Sequence, residues 1–329
     1  MHRRRIRFAK AETPVVYYSY LYEDVERETE VANSPANEPQ QWVHLNGVLT
    51  PKAEAHLSIY DHGFLYGDGA FEGIRVYNGN IFRLHEHLAR LYRSLKALHF
   101  DLNVDIETLK LRIVETVRAN QHTTGYIRLS VSRGVGLGLD PKHLKSDPTV
   151  VISTEQLRLY PQEMYEKGLE VVTASTRVPP AVCIDPQVKS LGRYVNNINA
   201  KMEANRLGAG EALMLNMEGN VAEATGDNIF LVKNGILSTP PSHQGALPGI
   251  TRGAVMEIAK ELNIPCHESV MTLYDVYNAD ESFLTGTAAE VIAMVRCDGR
   301  DIGNGLPGKM TQCLIKAFRE RTYQDGTKI

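Results

Sequence analysis

The sequence predicts an α+β fold with antiparallel or mixed sheets, and three observations predict it. Short apolar runs are joined by Asn-Gly turns at Asn46-Gly47, Asn78-Gly79 and Asn234-Gly235, a dipeptide that accepts the positive φ angles of a tight hairpin. Between the hairpin runs lie helices with an apolar stripe, above all Leu84, Leu88, Leu91, Leu95 and Leu98 at alternating spacings of four and three. Strands and helices also fail to alternate one by one, as a wholly parallel, doubly wound sheet would require.

The elements follow in order. Met1 to Gln41 runs from a basic to a mostly acidic composition without sustained periodicity and is expected to be a poorly packed extension. A first domain is expected over residues 42–155. Val43-His44-Leu45 and Val48-Leu49 form its first hairpin, and Ile74 to Tyr77 with Ile81-Phe82 its second. The leucine helix comes next, then a helix from Ile106 to Asn120 with Leu109, Ile113 and Val117 inward. In the strand Tyr126 to Val131, period two puts Tyr126, Arg128 and Ser130 on one face and Ile127, Leu129 and Val131 on the other. Gly134-Val135-Gly136-Leu137-Gly138 is a loop, Thr149 to Thr154 a strand, and residues 156–162 a linker.

A second, larger domain is expected over residues 163–329. It begins with a strand, Leu169 to Ala174, a loop containing Lys189, and a helix from Val195 to Leu207 that Gly208 ends. Glu211 to Met217 is expected to pair with one long strand, Val221 to Val232. A helix from Thr251 to Leu262, a strand from Glu281 to Leu284, a hairpin at Asp298-Gly299 and a helix from Lys309 to Arg319 complete the chain.

Bulk properties exclude several functions. With 329 residues and 43% apolar content the chain suits two globular domains, and a net charge of -3 gives no field to recruit nucleic acid or a membrane surface. No apolar run reaches membrane-spanning length. Cys183, Cys266, Cys297 and Cys313 are far apart, without C-x-x-C or metal-ligand spacing, which suits small apolar residues in a reducing cytoplasm and no metal.

Lys189 stands between a proline-broken loop and a helix; held still and desolvated there, its amine would be a nucleophile toward an aldehyde. Leu247-Pro248-Gly249-Ile250-Thr251-Arg252 opens a helix, whose unpaired N–H groups suit a phosphate, and Thr285-Gly286-Thr287-Ala288-Ala289 offers hydroxyls and open backbone. Arg90, at the edge of the leucine stripe, could bring a positive charge. Glu223 enters a glycine-containing kink, from which a carboxylate could face a ring nitrogen. Phe71, Gly73 and Arg75 share a strand face, and Tyr66, Tyr126 and Arg128 would complete an aromatic pocket with guanidinium groups. Taken singly, each of these stretches also reads as a cap, a turn or a solvated face.

Together, and in this order, they resemble the fold type IV pyridoxal-phosphate enzymes, and among them the branched-chain amino acid aminotransferases. The motifs are Tyr66-Gly67 with Phe71-Glu72-Gly73-Ile74-Arg75, then Glu86-His87-Leu88-Ala89-Arg90-Leu91, Tyr126-Ile127-Arg128, Val188-Lys189, Glu223 with Asp227-Asn228-Ile229-Phe230, and the two stretches at Leu247 and Thr285. The resemblance runs from Trp42 nearly to the C-terminus. It implies a two-domain fold with pyridoxal 5'-phosphate as cofactor and Lys189 as the catalytic residue, forming the aldimine and moving the proton. Tyr194 would bond the ring hydroxyl and Glu223 face the ring nitrogen, while Arg90, Leu247, Ile250, Thr251 and Thr287 bind the cofactor. Tyr66, Phe71, Gly73, Arg75, Tyr126, Arg128 and Ala288 would line the substrate side. A homodimer or higher oligomer is implied, with the loop from Gly134 to Gly138 reaching the partner's site.

The reaction so implied is ping-pong transamination of leucine, isoleucine or valine with 2-oxoglutarate. A D-amino acid aminotransferase, an (R)-amine transaminase and an aminodeoxychorismate lyase are rivals of the same fold. The first usually carries an Arg-x-His trap where this chain has Gly134 to Gly138. A non-catalytic carrier or sensor of the cofactor would need neither Lys189 nor Glu223. The chain departs from the family pattern at Arg193, where asparagine is common, and at Ala224, where glycine often follows the glutamate.

Overall fold

Hairpins build the first sheet. A computed structural model describes residues 40–156 and 159–329 of the chain, so the expected extension lies outside the described residues except for Gln40 and Gln41. In spatial order the seven strands are Gly326–Lys328, Asn80–Phe82, Gly69–Tyr77, Gly125–Ser132, Thr149–Glu155, Trp42–Leu45 and Val48–Pro51, with every neighbouring pair antiparallel. The turn residues do what the sequence implies: Asn46 has φ 49°, Gly47 φ 93°, Asn78 φ 47° and Gly79 φ 77°.

One face of this sheet is covered by the helices Leu84–Ala97 and Ile106–Ala119. Leu84, Leu88, Leu91 and Leu95 are all buried against Ile74, Ile127 and Leu129. Each such leucine contributes roughly 1.5–3 kcal/mol. That outweighs the absence of a side-chain cap at Arg83, where a cap would add about 1 kcal/mol. Because side chains alternate along a strand, burying Ile127 and Leu129 under the helices turns Tyr126 and Arg128 to the opposite face. That opposite face carries the site.

The second sheet is mixed. Its strands in order are Cys266–Glu268, Ile236–Thr239, Asn228–Lys233, Glu281–Gly286, Glu290–Cys297, Leu169–Thr173, Glu211–Leu215 and Val221–Ala224, with Arg300–Asp301 on Glu290–Cys297. Leu169–Thr173 is parallel to both its neighbours, and Ile236–Thr239 is parallel to Cys266–Glu268. Phe230 and Phe283 stack at 5.0 Å, part of the core beneath the helices Ile250–Glu261 and Lys309–Gln324.

Three features differ from expectation. The long strand from Val221 to Val232 is two strands: the Ala224 N–H donates to Asp227 O in a turn, and the chain leaves Glu211–Leu215 to join Glu281–Gly286. Short helices at His62–Tyr66, Gln162–Lys167 and Leu273–Tyr277 carry too few apolar positions for periodicity to reveal. The last helix continues to Gln324, and Gly326–Lys328 returns to the first sheet beside Asn80–Phe82. Residues 40–329 form one compact unit. Among the described residues no helix is long and apolar enough to cross a membrane.

Candidate active site

A cavity of about 330 Å³ lies between the two sheets and gathers most of the residues singled out above. Lys189 reaches it from a loop that behaves as an added strand edge. Phe71 N donates to Lys189 O at 3.1 Å, Leu191 N to Gly69 O at 2.9 Å and Gly192 N to Gly67 O at 3.0 Å. The Lys189 N–H itself meets Ser94 Oγ at 3.2 Å. This seam needs glycine: Gly67 has φ 66°, and a Cβ there would lie 2.8 Å from Gly192 Cα. The backbone of Lys189 is thus fixed on both sides. Its Nζ donates to the Tyr194 hydroxyl at 2.9 Å and lies 4.5 Å from the centre of the Phe71 ring.

The wall from the first sheet is Phe71, Gly73, Tyr126 and Arg128. Tyr126 fills the space that Gly73 leaves, since a Cβ on Gly73 would come within 1.9 Å of the Tyr126 hydroxyl. Burial raises the pKa of that hydroxyl, so it remains a donor at neutral pH. The Arg128 guanidinium stacks 3.6 Å from the Phe71 ring centre and donates to Ser130 Oγ at 3.2 Å.

Arg90 is not a solvated helix residue. It is buried, and its Nε and Nη2 donate to the two oxygens of Glu72 at 2.8 and 2.7 Å while Nη1 donates to Pro248 O at 3.0 Å. His87 Nδ1 lies 2.8 Å from Glu72 Oε2. Burial alone would raise the Glu72 carboxyl, but the charge and hydrogen bonds of Arg90, with His87, outweigh it and hold the group at about 2. The Arg90 head is therefore locked beside the start of the helix Ile250–Glu261. Gly249 caps that helix without a side-chain hydrogen bond, so its first N–H groups are open to an anion. Ile250, Thr251, Thr287 and Ala288 all line the cavity there, and Thr285 Oγ1, also on the wall, is buried without a partner.

Three of the expected residues are not on the cavity wall. Tyr66 ends a short helix, is 42% exposed, and accepts from Gly138 N at 3.2 Å. Arg75 shares the face of Phe71 and sits opposite Tyr126 in the strand pair, but reaches Ala288 O at 3.5 Å and Glu290 at 3.4 Å. Glu223 stands behind the wall, with Oε2 accepting from Leu247 N at 2.8 Å and Oε1 from Arg193. Leu247 itself is on the wall, its carbonyl held by Asn228 Nδ2 at 2.8 Å.

Glu72 and Asp227 belong to the site although the sequence assigns neither a role. Glu72 carries a readable signal: period two sends it to the helix side of its strand, where a buried acid needs a cation and Arg90 faces it. Asp227 carries none. It lines the cavity near Glu211, Lys201 and Tyr160, and its Oδ2 has no partner. Burial first, then the charge of Glu211, push its carboxyl up to about 7.

A fixed lysine amine, an acid one layer behind the wall and an anion site at a helix start are joined in one cavity. The amino-transferase class IV family matches residues 69–297. The chain belongs to the class IV aminotransferases. These enzymes use pyridoxal phosphate, and the donor set here fits it: an amine for its aldehyde, open N–H groups and a guanidinium for its phosphate, and an unpartnered buried hydroxyl at Thr285. A Methanocaldococcus jannaschii protein provisionally named branched-chain-amino-acid aminotransferase is 44% identical over 288 residues, 87% of this class IV enzyme and 98% of the relative. The Escherichia coli K12 branched-chain-amino-acid aminotransferase is 33% identical, covering 84% and 91%. Among solved structures, the E. coli enzyme superposes with TM-score 0.83 at 33% identity, over 85% of this chain and 94% of that one. The branched-chain aminotransferase of Thermoproteus uzoniensis, solved with norvaline, gives 0.81 at 36%, over 87% and 96%.

Proposed function

We propose that this enzyme transfers the amino group of leucine, isoleucine or valine to 2-oxoglutarate, giving the branched 2-oxo acid and L-glutamate. The observation that carries the reading is the wall beside Lys189 Nζ. Phe71 and Tyr126 offer an apolar and aromatic face to an alkyl side chain, and Arg128 in the same wall offers a cation to the second carboxylate of glutamate. The relatives named above support the same substrate class.

When bound, the cofactor supplies an aldehyde carbon that takes up the amino group and a ring that accepts the electron pair. The chain's own groups do the rest. Arg90, Ile250 and Thr251 would hold the phosphate, with Leu247 and Thr287 beside it. Lys189 Nζ would take the proton from the substrate Cα and deliver it to the carbon that carries the cofactor's aldehyde. Tyr194, bonded to that amine, holds it on line. Glu223, one layer behind the wall, would favour the proton on the ring nitrogen, and Ala288 would leave room for the substrate.

We further place the enzyme in the cytoplasm, which its four free cysteines support, and assign it a homodimer. Val195, Ile198 and Met202 form an exposed apolar face on one helix, and Leu137 and Leu139 stand exposed in the loop that Tyr66 touches. In such a dimer Tyr66 and the Gly134 to Gly138 loop would serve the partner's cavity.

An assay with L-leucine, D-alanine and an (R)-amine as donors tests the substrate class. Turnover of L-leucine with 2-oxoglutarate is expected, together with a visible cofactor band that borohydride fixes onto Lys189. Turnover of D-alanine alone would overturn the reading, and so would an unchanged band and activity in Lys189→Ala.

A further inference from the structure

Among the described residues, Arg193 is the largest side chain to be completely buried. Its Nη1 donates to Pro186 O at 2.6 Å, its Nη2 donates to Glu223 Oε1, and Nε has no partner. Its Cζ lies 5.2 Å from the centre of the Tyr194 ring. One guanidinium thus ties the loop that presents Lys189 to the strand that carries Glu223. A buried cation beside a buried anion offsets its charge, and a carboxylate whose charge is offset attracts a third partner's proton less.

We propose that Arg193 is a positioning residue: it fixes the Glu223 carboxylate and offsets its charge, and thereby loosens the hold of Glu223 on the ring-nitrogen proton of the bound cofactor. This rests on the reading of Glu223 as the acid facing that nitrogen. Other charged or titratable groups act on the pair as well. Asp185 and Tyr194 act on Arg193, while Arg90 and Asp227 interact with Glu223. Of these, Arg90 is already matched by Glu72, and Asp227 can only add negative charge. Arg193 is therefore the cation that balances Glu223. The other hydrogen bond to its carboxylate comes from Leu247 N, which carries no formal charge.

The test uses the holoprotein and compares the wild type with Arg193→Gln, Arg193→Leu and Arg193→Lys. The readouts are the pH midpoint of ring-nitrogen protonation, followed by nitrogen NMR of bound, ring-labelled pyridoxal phosphate, the dissociation constant of pyridoxal phosphate, and Tm. Loss of the cation in the Gln and Leu variants leaves Glu223 unbalanced, which favours the protonated ring nitrogen and raises its midpoint by about one pH unit. The Lys variant keeps the charge and is expected to return the midpoint toward the wild-type value, although it cannot bridge both Pro186 and Glu223. Should the Leu variant not fold, the Gln variant retains a donor and gives the same reading. A midpoint that stays in place in Arg193→Gln while Tm falls would show a structural role alone and overturn the proposal. Glu223→Gln separates the two layers. If it alters the midpoint and abolishes any further effect of Arg193→Gln, both stand; if it leaves the midpoint unchanged, the assignment of Glu223 itself fails.

Discussion

Two buried carboxylates beside the cavity are shifted in opposite directions, Asp227 upward by its burial and Glu72 downward by an ion pair that outweighs its burial. Glu72 meets Arg90 in a two-pronged pair and sits at about 2, whereas burial, with the nearby charge of Glu211 added, puts Asp227 at about 7. The signs for stability follow by linkage. A free glutamate titrates near 4.5, so the Glu72 contribution is complete above that value and is lost as pH falls toward 2. Glu72→Gln is expected to cost about 3–5 kcal/mol in urea unfolding at pH 7, because it leaves Arg90 buried without its anion, and to weaken cofactor binding in equilibrium dialysis. Asp227 acts the other way: the unfolded chain releases this proton near 3.8 and the native state holds it to about 7, so the group costs stability increasingly between these values and fully above them. Asp227→Asn should therefore raise the Tm of the apoprotein over wild type at pH 8, by the equivalent of about 2–4 kcal/mol, with little gain at pH 4. Equal gains at both values would contradict this account.

At the scale of the element, the decisive unit is the seam between the Lys189 loop and the residues leading into the Gly69–Tyr77 strand. Three backbone hydrogen bonds join them, and Gly67 and Gly192 pass too closely for a side chain between them. The lysine backbone is held by main-chain bonds, leaving its amine free to act. Gly67→Ala would combine strain at φ 66° with a clash against Gly192, about 1–3 kcal/mol in all. Its expected signature is a lower fraction of cofactor bound to Lys189 after borohydride reduction, alongside a modest loss in Tm; full occupancy would show that the seam does not hold the lysine.

The whole molecule places the cavity between an antiparallel sheet and a mixed one, and leaves apolar side chains exposed on the helix that begins at Tyr194. Analytical ultracentrifugation is expected to give a dimer, and Ile198→Asp to shift the enzyme toward monomer. A monomeric wild type would refute the dimer. The hairpins, the leucine helix and the face to which Tyr126 and Arg128 belong could all be read in advance, because each depends on neighbours within a few residues. The same local rules identified Lys189, Arg90 and the helix start at Ile250 as candidates. They could not show that Arg90 spends most of its hydrogen bonds on Glu72, or that Tyr66 and Glu223 stand off the wall. Nor could they show that Val221 to Val232 breaks between two strand partners. By itself the sequence determined the long helices, the hairpins, their order and the family they spell, since periodicity, turn chemistry and motif order are properties of the chain. Only the tertiary structure decided which charges meet, because Glu72 with Arg90 and Arg193 with Glu223 pair across elements, and burial, which sets the strength of those pairs, exists only once the elements have packed.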